Sequence, residues 1–248
     1  MGNLNDKVAV VTGASKGIGA AIARHLAAAG ATVVVGYASS KEGADKTVAD
    51  IVTRGGKAIA VKASMPDEAE ITALFDTVKK KYGRIDILVN NAGVYEFSPL
   101  DTITVEHYNR QFNTNVLGVL LTTRAALPLF PSGGGSVVNL SSVVSTLAPP
   151  MSSVYSGTKG AIDSITRSLA KELAPRKIRV NAVNPGLVNT EGTSGFAGGD
   201  FGKEVVAITP LGRIGEPDDI APPVVFLASE DAHWITGETL YVSGGAAI

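Results

Sequence analysis

Two side chains four residues apart carry the strongest chemical signal in this sequence. Tyr155 and Lys159 stand in the run YSGTK, and at helical pitch an i, i+4 spacing sets both on one face. A phenol titrates near pKa ~10 in model peptides and exchanges protons poorly at neutral pH unless its anion is stabilised. A neighbouring ammonium in a partly desolvated site would supply that stabilisation and hold the phenol acidic, while also donating to a cofactor ribose. Upstream, VVNLSSVVS puts Ser141 and Ser142 at the end of an apolar run. At the C-terminal end of a parallel strand, such a hydroxyl can polarise a carbonyl. A tyrosine and lysine pair alone is more often surface packing; joined to a strand-end serine and a phosphate-binding turn, it reads as a proton-transfer centre.

That turn is TGASKGIG, with Gly13, Gly17 and Gly19, running from the first apolar strand directly into AIARHLAAAG. Glycines there permit a tight turn, admit a pyrophosphate close to the backbone and let the helix pack on the strand. The helix N-terminus then offers free N–H groups to the phosphates. The spacing G-x3-G-x-G is looser than the common G-x-G-x-x-G fingerprint. About twenty residues on, where a carboxylate would hold the ribose 2′-hydroxyl of NAD, the chain reads VVVGYASSKEG. No acid stands at Gly36, Tyr37, Ala38, Ser39 or Ser40, and Lys16, Ser39, Ser40 and Lys41 can meet a 2′-phosphate. NADPH and NADP+ are therefore expected ahead of NADH and NAD+, which stay open.

The elements that position these residues follow from hydrophobic period. Short β-branched runs predict seven strands at 8–11, 32–37, 58–61, 85–89, 136–140, 179–183 and 239–242. Segments of helical period near 18–29, 41–54, 67–82, 104–130, 153–174 and 217–229 alternate with them. This is the pattern of an α/β, Rossmann-like, doubly wound parallel sheet with helices on both faces, and 248 residues suit one domain over 1–248. The rhythm breaks at 189–210, rich at first in Gly, Thr and Ser, which reads as an irregular substrate loop.

Composition narrows the function classes. Apolar residues at 45% and charged ones at 18% support a sizeable core, and a net charge of −1 without basic clusters gives no footprint for nucleic acid or an anionic membrane. Cysteine is absent, and His25, His107 and His233 lack ligand spacing, so no metal site is expected. Without a signal-like start or a long apolar run, the expected location is the cytoplasm.

Taken together, these motifs resemble the short-chain dehydrogenase/reductase family, and the resemblance runs from Lys7 to Gly245. TGASKGIG matches its cofactor turn, NNAG at 90–93 its loop after the fourth strand, and YSGTK its YxxxK. NPG at 184–186 with Thr190 matches the segment at the nicotinamide end. Asn115 in FNTNVLG falls where the family has a water-holding asparagine, and Ser142, thirteen residues before Tyr155, takes the substrate-orienting role in preference to Ser141. The resemblance implies hydride transfer at the nicotinamide C4 and a proton relay from Tyr155 through ribose and Lys159 to water near Asn115. It implies cofactor contacts from Gly13, Ser15, Lys16, Gly17, Ile18 and Gly19, then from Tyr37, Ser39, Ser40 and Ser64. Asn91, Ala92 and Gly93 would follow, with Pro185, Gly186, Val188 and Thr190 closing the nicotinamide end. It also implies a homotetramer.

Two departures stand out: Ser64 replaces an aspartate that often touches adenine, and Ser243 replaces an Asp or Asn before the paired glycines. Within the family the chain is similar to bacterial 3-oxoacyl-carrier-protein reductases and glucose 1-dehydrogenases. A pocket of Tyr95, Val144, Met151, Leu187, Phe196 and Phe201 is expected; being largely apolar, it suits a ketone with a hydrophobic substituent better than a sugar. An NADPH-dependent ketoreductase is the first expectation. A sugar or polyol dehydrogenase is its rival, and a non-catalytic dinucleotide-sensing protein stands third.

Overall fold

The computed structural model describes residues 3–246, the side chain of Phe196 excepted. Seven strands form: β1 Val8–Val11, β2 Thr32–Tyr37, β3 Lys57–Lys62, β4 Ile87–Asn90, β5 Gly135–Leu140, β6 Ile178–Pro185 and β7 Thr239–Val242. Every pairing is parallel, in the order β3-β2-β1-β4-β5-β6-β7. Ten α-helices fill the connections among the described residues. The long ones are α1 Gly17–Ala28, α2 Lys41–Thr53, α3 Glu68–Tyr82, α4 Val105–Phe112, α5 Gly118–Ala126, α7 Ser153–Leu173 and α10 Pro217–Ala228; α6 Val144–Leu147, α8 Ser194–Ala197 and α9 Asp200–Ile208 are short or irregularly placed. No helix among the described residues is long and apolar enough to cross a membrane.

The strand residues explain the two covered faces. Along β1 and β2, Ala9, Val11, Val33 and Val35 enter one buried cluster with Ile22 and Leu26 of α1 and Val224 of α10. Val8, Val10 and Val34 alternate into a second cluster with Ile71 and Leu74 of α3 and Leu173 of α7. A strand with both faces buried needs apolar residues at every position, which is why these runs are continuous instead of alternating. Each fully buried Val, Leu or Ile adds roughly 1.5–3 kcal/mol of transfer free energy.

Three elements differ from the sequence expectation. The single helix expected over 104–130 is interrupted by a π turn, Asn113–Leu117, in which Gly118 N donates to Asn113 O, and it tightens into a 3-10 turn at Leu127–Leu129, where Pro128 ends the regular ladder. The expected irregular loop at 189–210 contains α8 and α9. Glycine-rich composition hid them, yet Asp200 sits in the first turn of α9, and Gly202 lets that helix approach the Ala197 carbonyl, where a Cβ would fall at 1.8 Å. Finally, α6 forms in four residues after β5, too short for period analysis.

Candidate active site

The chain leaves β1 toward β2 and β3, then returns to lay β4 on the other side of β1. Connections diverge there, which opens a crevice at the strands' C-terminal ends. Thr12 and Asn91 bridge it. The Thr12 Oγ1 accepts from the backbone N–H groups of Asn91 and Ala92, both at 3.0 Å, and Asn91 Nδ2 donates to the carbonyls of Thr12 at 2.9 Å and Gly13 at 3.0 Å. This bridge dictates two glycines. A Cβ at Gly13 would lie 2.8 Å from Ala92 Cα, and one at Gly19 would lie 2.4 Å from Asn91 Nδ2. Gly17, at φ +54°, faces Thr190, whose Cγ2 a Cβ would approach to 3.3 Å. The glycine turn, the NNAG loop and the segment after β6 are thus brought into one cleft.

One helix start in this cleft could hold a phosphate. Helices α2, α3 and α4 are capped by Ser40, Asp67 and Thr104, whose side-chain oxygens accept from their first-turn N–H groups. Helix α1 starts at Gly17 with no side-chain cap and no acid in its first turn. Its leading N–H groups, with their share of the helix dipole, therefore fit a pyrophosphate. Ser15, Lys16 and Ile18 lie in the same turn, Lys16 exposed.

At the adenosine end the placements differ from expectation. Tyr37 does not line a ribose pocket with its ring: it is 9% exposed and joins the core cluster of Val33 and Val35, because a pleated strand returns to the same face every second residue. Ser40 is occupied as the α2 cap, accepting from Gly43 N at 3.3 Å. Lys41 Nζ donates to Asp45 at 2.6 Å, and that bond raises its pKa. Ser39 and Lys16 remain exposed. Ser64, half-buried, is fixed by its N–H donating to Glu70 at 2.7 Å, and Glu70 also takes a bond from Lys62 at 2.6 Å.

The opposite end gathers the expected catalytic set. The π turn buries Asn115, whose Nδ2 donates to Val94 O at 2.7 Å and Thr158 Oγ1 at 3.1 Å, and whose Oδ1 accepts from Val94 N at 2.8 Å. Asn115 therefore staples the loop after β4 onto α7, between Tyr155 and Lys159. Both amide hydrogens are spent in doing so. Ser142, after β5, is half-buried with its hydroxyl accepting from Val144 N at 3.3 Å, and it acts on Tyr155 in the sense that lowers the phenol's pKa. Ser141 is buried and donates to the Lys159 carbonyl at 3.1 Å, a role in holding α7 to the strand end.

In this structure burial, and not the ammonium, is the dominant influence on the phenol. Burial pushes Tyr155 up to about 12, and Ser142 only partly offsets it. The Lys159 ammonium sits 5.7 Å from the Tyr155 ring centroid and donates to Leu140 O at 2.8 Å, so its charge is aimed at a backbone carbonyl. Lys159 is 7% exposed; burial lowers it to about 8, with Asp163 acting in the other direction. At neutral pH the centre holds a neutral phenol and a mostly protonated amine.

Aromatic rings wall the phenol. Tyr95 and Phe97 lie 6.1 and 6.2 Å from the Tyr155 ring, the first tilted and the second edge-on, within the range of favourable aromatic contacts. Phe97 was missed by the sequence reading. The signal was present in VYEFSP, because an extended segment sends residues 95 and 97 to one side. Tyr95 also donates its hydroxyl to Gly192 O at 2.5 Å, tying the loop after β4 to the segment before α8. Of the other expected pocket residues, Met151 is exposed with φ +66°, and its carbonyl accepts from Ser98 N at 2.8 Å. Val144 opens α6, Leu187 follows β6, and Phe201 sits half-exposed on α9; the Phe196 side chain lies outside the described residues. Gly186 follows Pro185, the last residue of β6, and a Cβ there would meet Ser243 at 3.0 Å, which ties the nicotinamide-end segment to the turn after β7. Val188 is buried, and its carbonyl accepts from Thr193.

Comparison with known proteins agrees with this geometry. A family model described as enoyl-(acyl carrier protein) reductase matches residues 13–247. The chain is 58% identical over 247 residues to an uncharacterized oxidoreductase of Methylorubrum extorquens, covering 99% of each. It is 40% identical over 254 residues to versicolorin reductase of Emericella nidulans, covering 98% of this chain and 96% of that one. Among solved structures, an angucycline C-6 ketoreductase with bound NADP superposes with a TM-score of 0.94 at 37% identity, covering 99% of this chain and 97% of that one.

Proposed function

Because the chain belongs to the short-chain dehydrogenase/reductase family of NAD(P)-dependent oxidoreductases acting on alcohol and carbonyl carbons, we propose that it is an NADPH-dependent ketoreductase. The reading rests on one observation: the Tyr155 phenol, with the buried Lys159 ammonium 5.7 Å from its ring, is walled by the rings of Tyr95 and Phe97. When bound, the nicotinamide would supply a hydride for the carbonyl carbon. Ser142 donates to the carbonyl oxygen and polarises it. As charge develops there, Tyr155 transfers its proton, leaving a secondary alcohol and a phenolate that solvent reprotonates. A donor near pKa 12 still passes a proton readily to an alkoxide, a much stronger base.

Lys159 keeps a positive charge beside this exchange and can donate to a ribose hydroxyl, while Asn115 fixes the helix that carries both groups. Gly13, Gly17, Gly19 and the leading N–H groups of α1 would hold the pyrophosphate. Asn91, Ala92, Gly93, Pro185, Gly186, Val188 and Thr190 would shape the nicotinamide end. Exposed Lys16 and Ser39, with no acid at the end of β2, support NADPH over NADH. Similarity to a versicolorin reductase and an angucycline C-6 ketoreductase supports a ketone substrate, and the aromatic wall of Tyr95 and Phe97 suits a ketone carrying an aromatic group.

A homotetramer is part of the proposal. Exposed Val105, Tyr108, Leu117 and Leu120 run along α4 to α5, and Phe226, Leu240 and Tyr241 lie on α10 and β7, giving two separate apolar faces. Light scattering behind size exclusion is expected to report four chains.

Steady-state assays with aryl ketones, ethyl acetoacetate, 3-oxoacyl thioesters and glucose, each with both cofactors, test the activity. The highest kcat/KM is expected for an aryl ketone with NADPH. Glucose with NAD+ as the best pair would replace this reading with a sugar dehydrogenase.

A further inference from the structure

Asp163 is a buried carboxylate that the mechanism above does not use. It lies one helical turn beyond Lys159 on α7 and is 8% exposed. Charges this deep are retained only with partners. Its hydrogen-bond partner is Asn184 in β6, whose Nδ2 lies 3.3 and 3.2 Å from the two carboxylate oxygens. The same amide reaches Ser142 O at 3.2 Å and Ser145 Oγ at 3.1 Å. Four acceptors thus converge on one NH2 group, and Asn184 Oδ1 is left buried without a partner. Such an arrangement ties three things together: the helix turn carrying Lys159, the strand end carrying Ser142, and the start of the segment at 184–186.

We propose that Asp163 and Asn184 form a positioning pair that holds the Lys159 ammonium charged and in register with Ser142. The proposal rests on Lys159 being a working residue of the site. Asp163 follows Lys159 by four residues on α7, which sets the two on one helical face without an ion pair between them, and its charge acts to raise the ammonium's pKa. The neighbouring elements supply no substitute. On α4, His107 and Arg110 pair toward Glu96, and Glu106 is exposed; α6 carries no charge; β6 carries only Arg179, at its far end, bonded to Leu227 O and Ser229 O. Tyr155 is neutral. Without the carboxylate, burial would act on the ammonium unopposed, and the amine would lose its proton nearer neutral pH. Asn184 holds the carboxylate by both oxygens, while Lys159 Nζ donates to Leu140 O.

The test reads Lys159 directly. In protein labelled with 13C at the lysine ε-carbon, the Lys159 signal is identified by its loss in Lys159→Arg and followed against pH. Asp163→Asn, which keeps shape and removes charge, is expected to lower the midpoint by on the order of one pH unit. Asp163→Glu should keep it within about 0.3 unit of wild type. The alkaline limb of kcat/KM for ketone reduction should move with the NMR midpoint, while turnover at pH 6 stays within about threefold. If Asp163→Asn fails to fold, Asn184→Ser offers the opposite sign: a carboxylate relieved of its amide donors should raise the midpoint. An unchanged midpoint in either variant, or a loss of activity equal at every pH, overturns the pair. A shifted midpoint in a protein that reduces no ketone would leave the pair standing and sink the ketoreductase reading instead.

Discussion

The two ends of the crevice are built in different ways. At the end formed by β4, β5 and β6, the working side chains are buried and bonded into the fold: Lys159 to Leu140 O, Asn115 to Val94, Asp163 to Asn184. At the end formed by β2 and β3, the polar groups stand in solvent, and most already have neighbours, as Lys41 has Asp45 and Ser40 has Gly43. The first end shifts proton affinities by burial, and exposed groups in water cannot do that. The second offers adjustable contacts to a cofactor's far phosphate. Reactivity is therefore a property of the core, while cofactor choice is a property of the surface, and substitutions should divide accordingly.

The largest expected effect is at the buried end. Tyr155→Phe removes the proton donor and keeps the ring against Tyr95 and Phe97; kcat/KM for ketone reduction should fall by roughly 10²–10⁴. NADPH affinity, read by fluorescence titration, should stay within about twofold. A loss of binding as large as the loss of turnover would show the phenol to be structural. The lysine gives a second measure. Its folded pKa of about 8 lies below a lysine's ordinary 10.5, so between these values the unfolded chain binds more protons, and stability rises with pH. From pH 8 to 10 this amounts to about 2 kcal/mol in wild type relative to Lys159→Met, read by denaturant unfolding. Above pH 10, Tyr155, whose pKa is raised on folding, acts in the opposite sense. Parallel stability curves for the two proteins would mean that Lys159 is not desolvated.

The same division governs what could be read from the sequence. Strands were legible because a sheet covered on both faces demands unbroken β-branched runs, and the glycine turn was legible because a missing Cβ is a sequence fact. The site residues were named by spacing along one chain segment at a time. Spacing says nothing of burial, which is the dominant influence on Tyr155 in the structure. Likewise Asp163 and Asn184, twenty-one residues apart, meet only through the α7 and β6 packing. Tyr37 was misplaced for a simpler reason: its distance along β2 from the glycine turn was right, but the parity of the pleat sends its ring into the core. Phe97 obeyed the same parity and could have been found beside Tyr95.

That correction relocates the test of cofactor choice. An acid at 37 would be buried among Val33 and Val35, whereas one at 39 stands exposed near the turn. Ser39→Asp should lower kcat/KM with NADPH and raise it with NADH, shifting their ratio by on the order of tenfold, about 1.4 kcal/mol. Melting temperature should hold, since nothing buried changes. An unchanged ratio would place the 2′-phosphate contact elsewhere and blur the contrast between the two ends.

The smallest effect is expected where the two kinds of construction meet. Tyr95 belongs by its ring to the wall beside Tyr155, yet its hydroxyl reaches the segment before α8, accepted by Gly192 O at 2.5 Å. A neutral hydrogen bond on a largely exposed segment contributes about 1 kcal/mol. Tyr95→Phe keeps the ring and deletes the bond, so the segment over the cleft should open more readily while the proton donor is untouched. KM for the ketone should rise about threefold, with kcat within twofold, and protease cleavage within 190–200 should quicken. If kcat fell as far as KM rose, the hydroxyl would belong to the reacting groups, and the boundary between buried chemistry and adjustable surface would have to be drawn one residue further out.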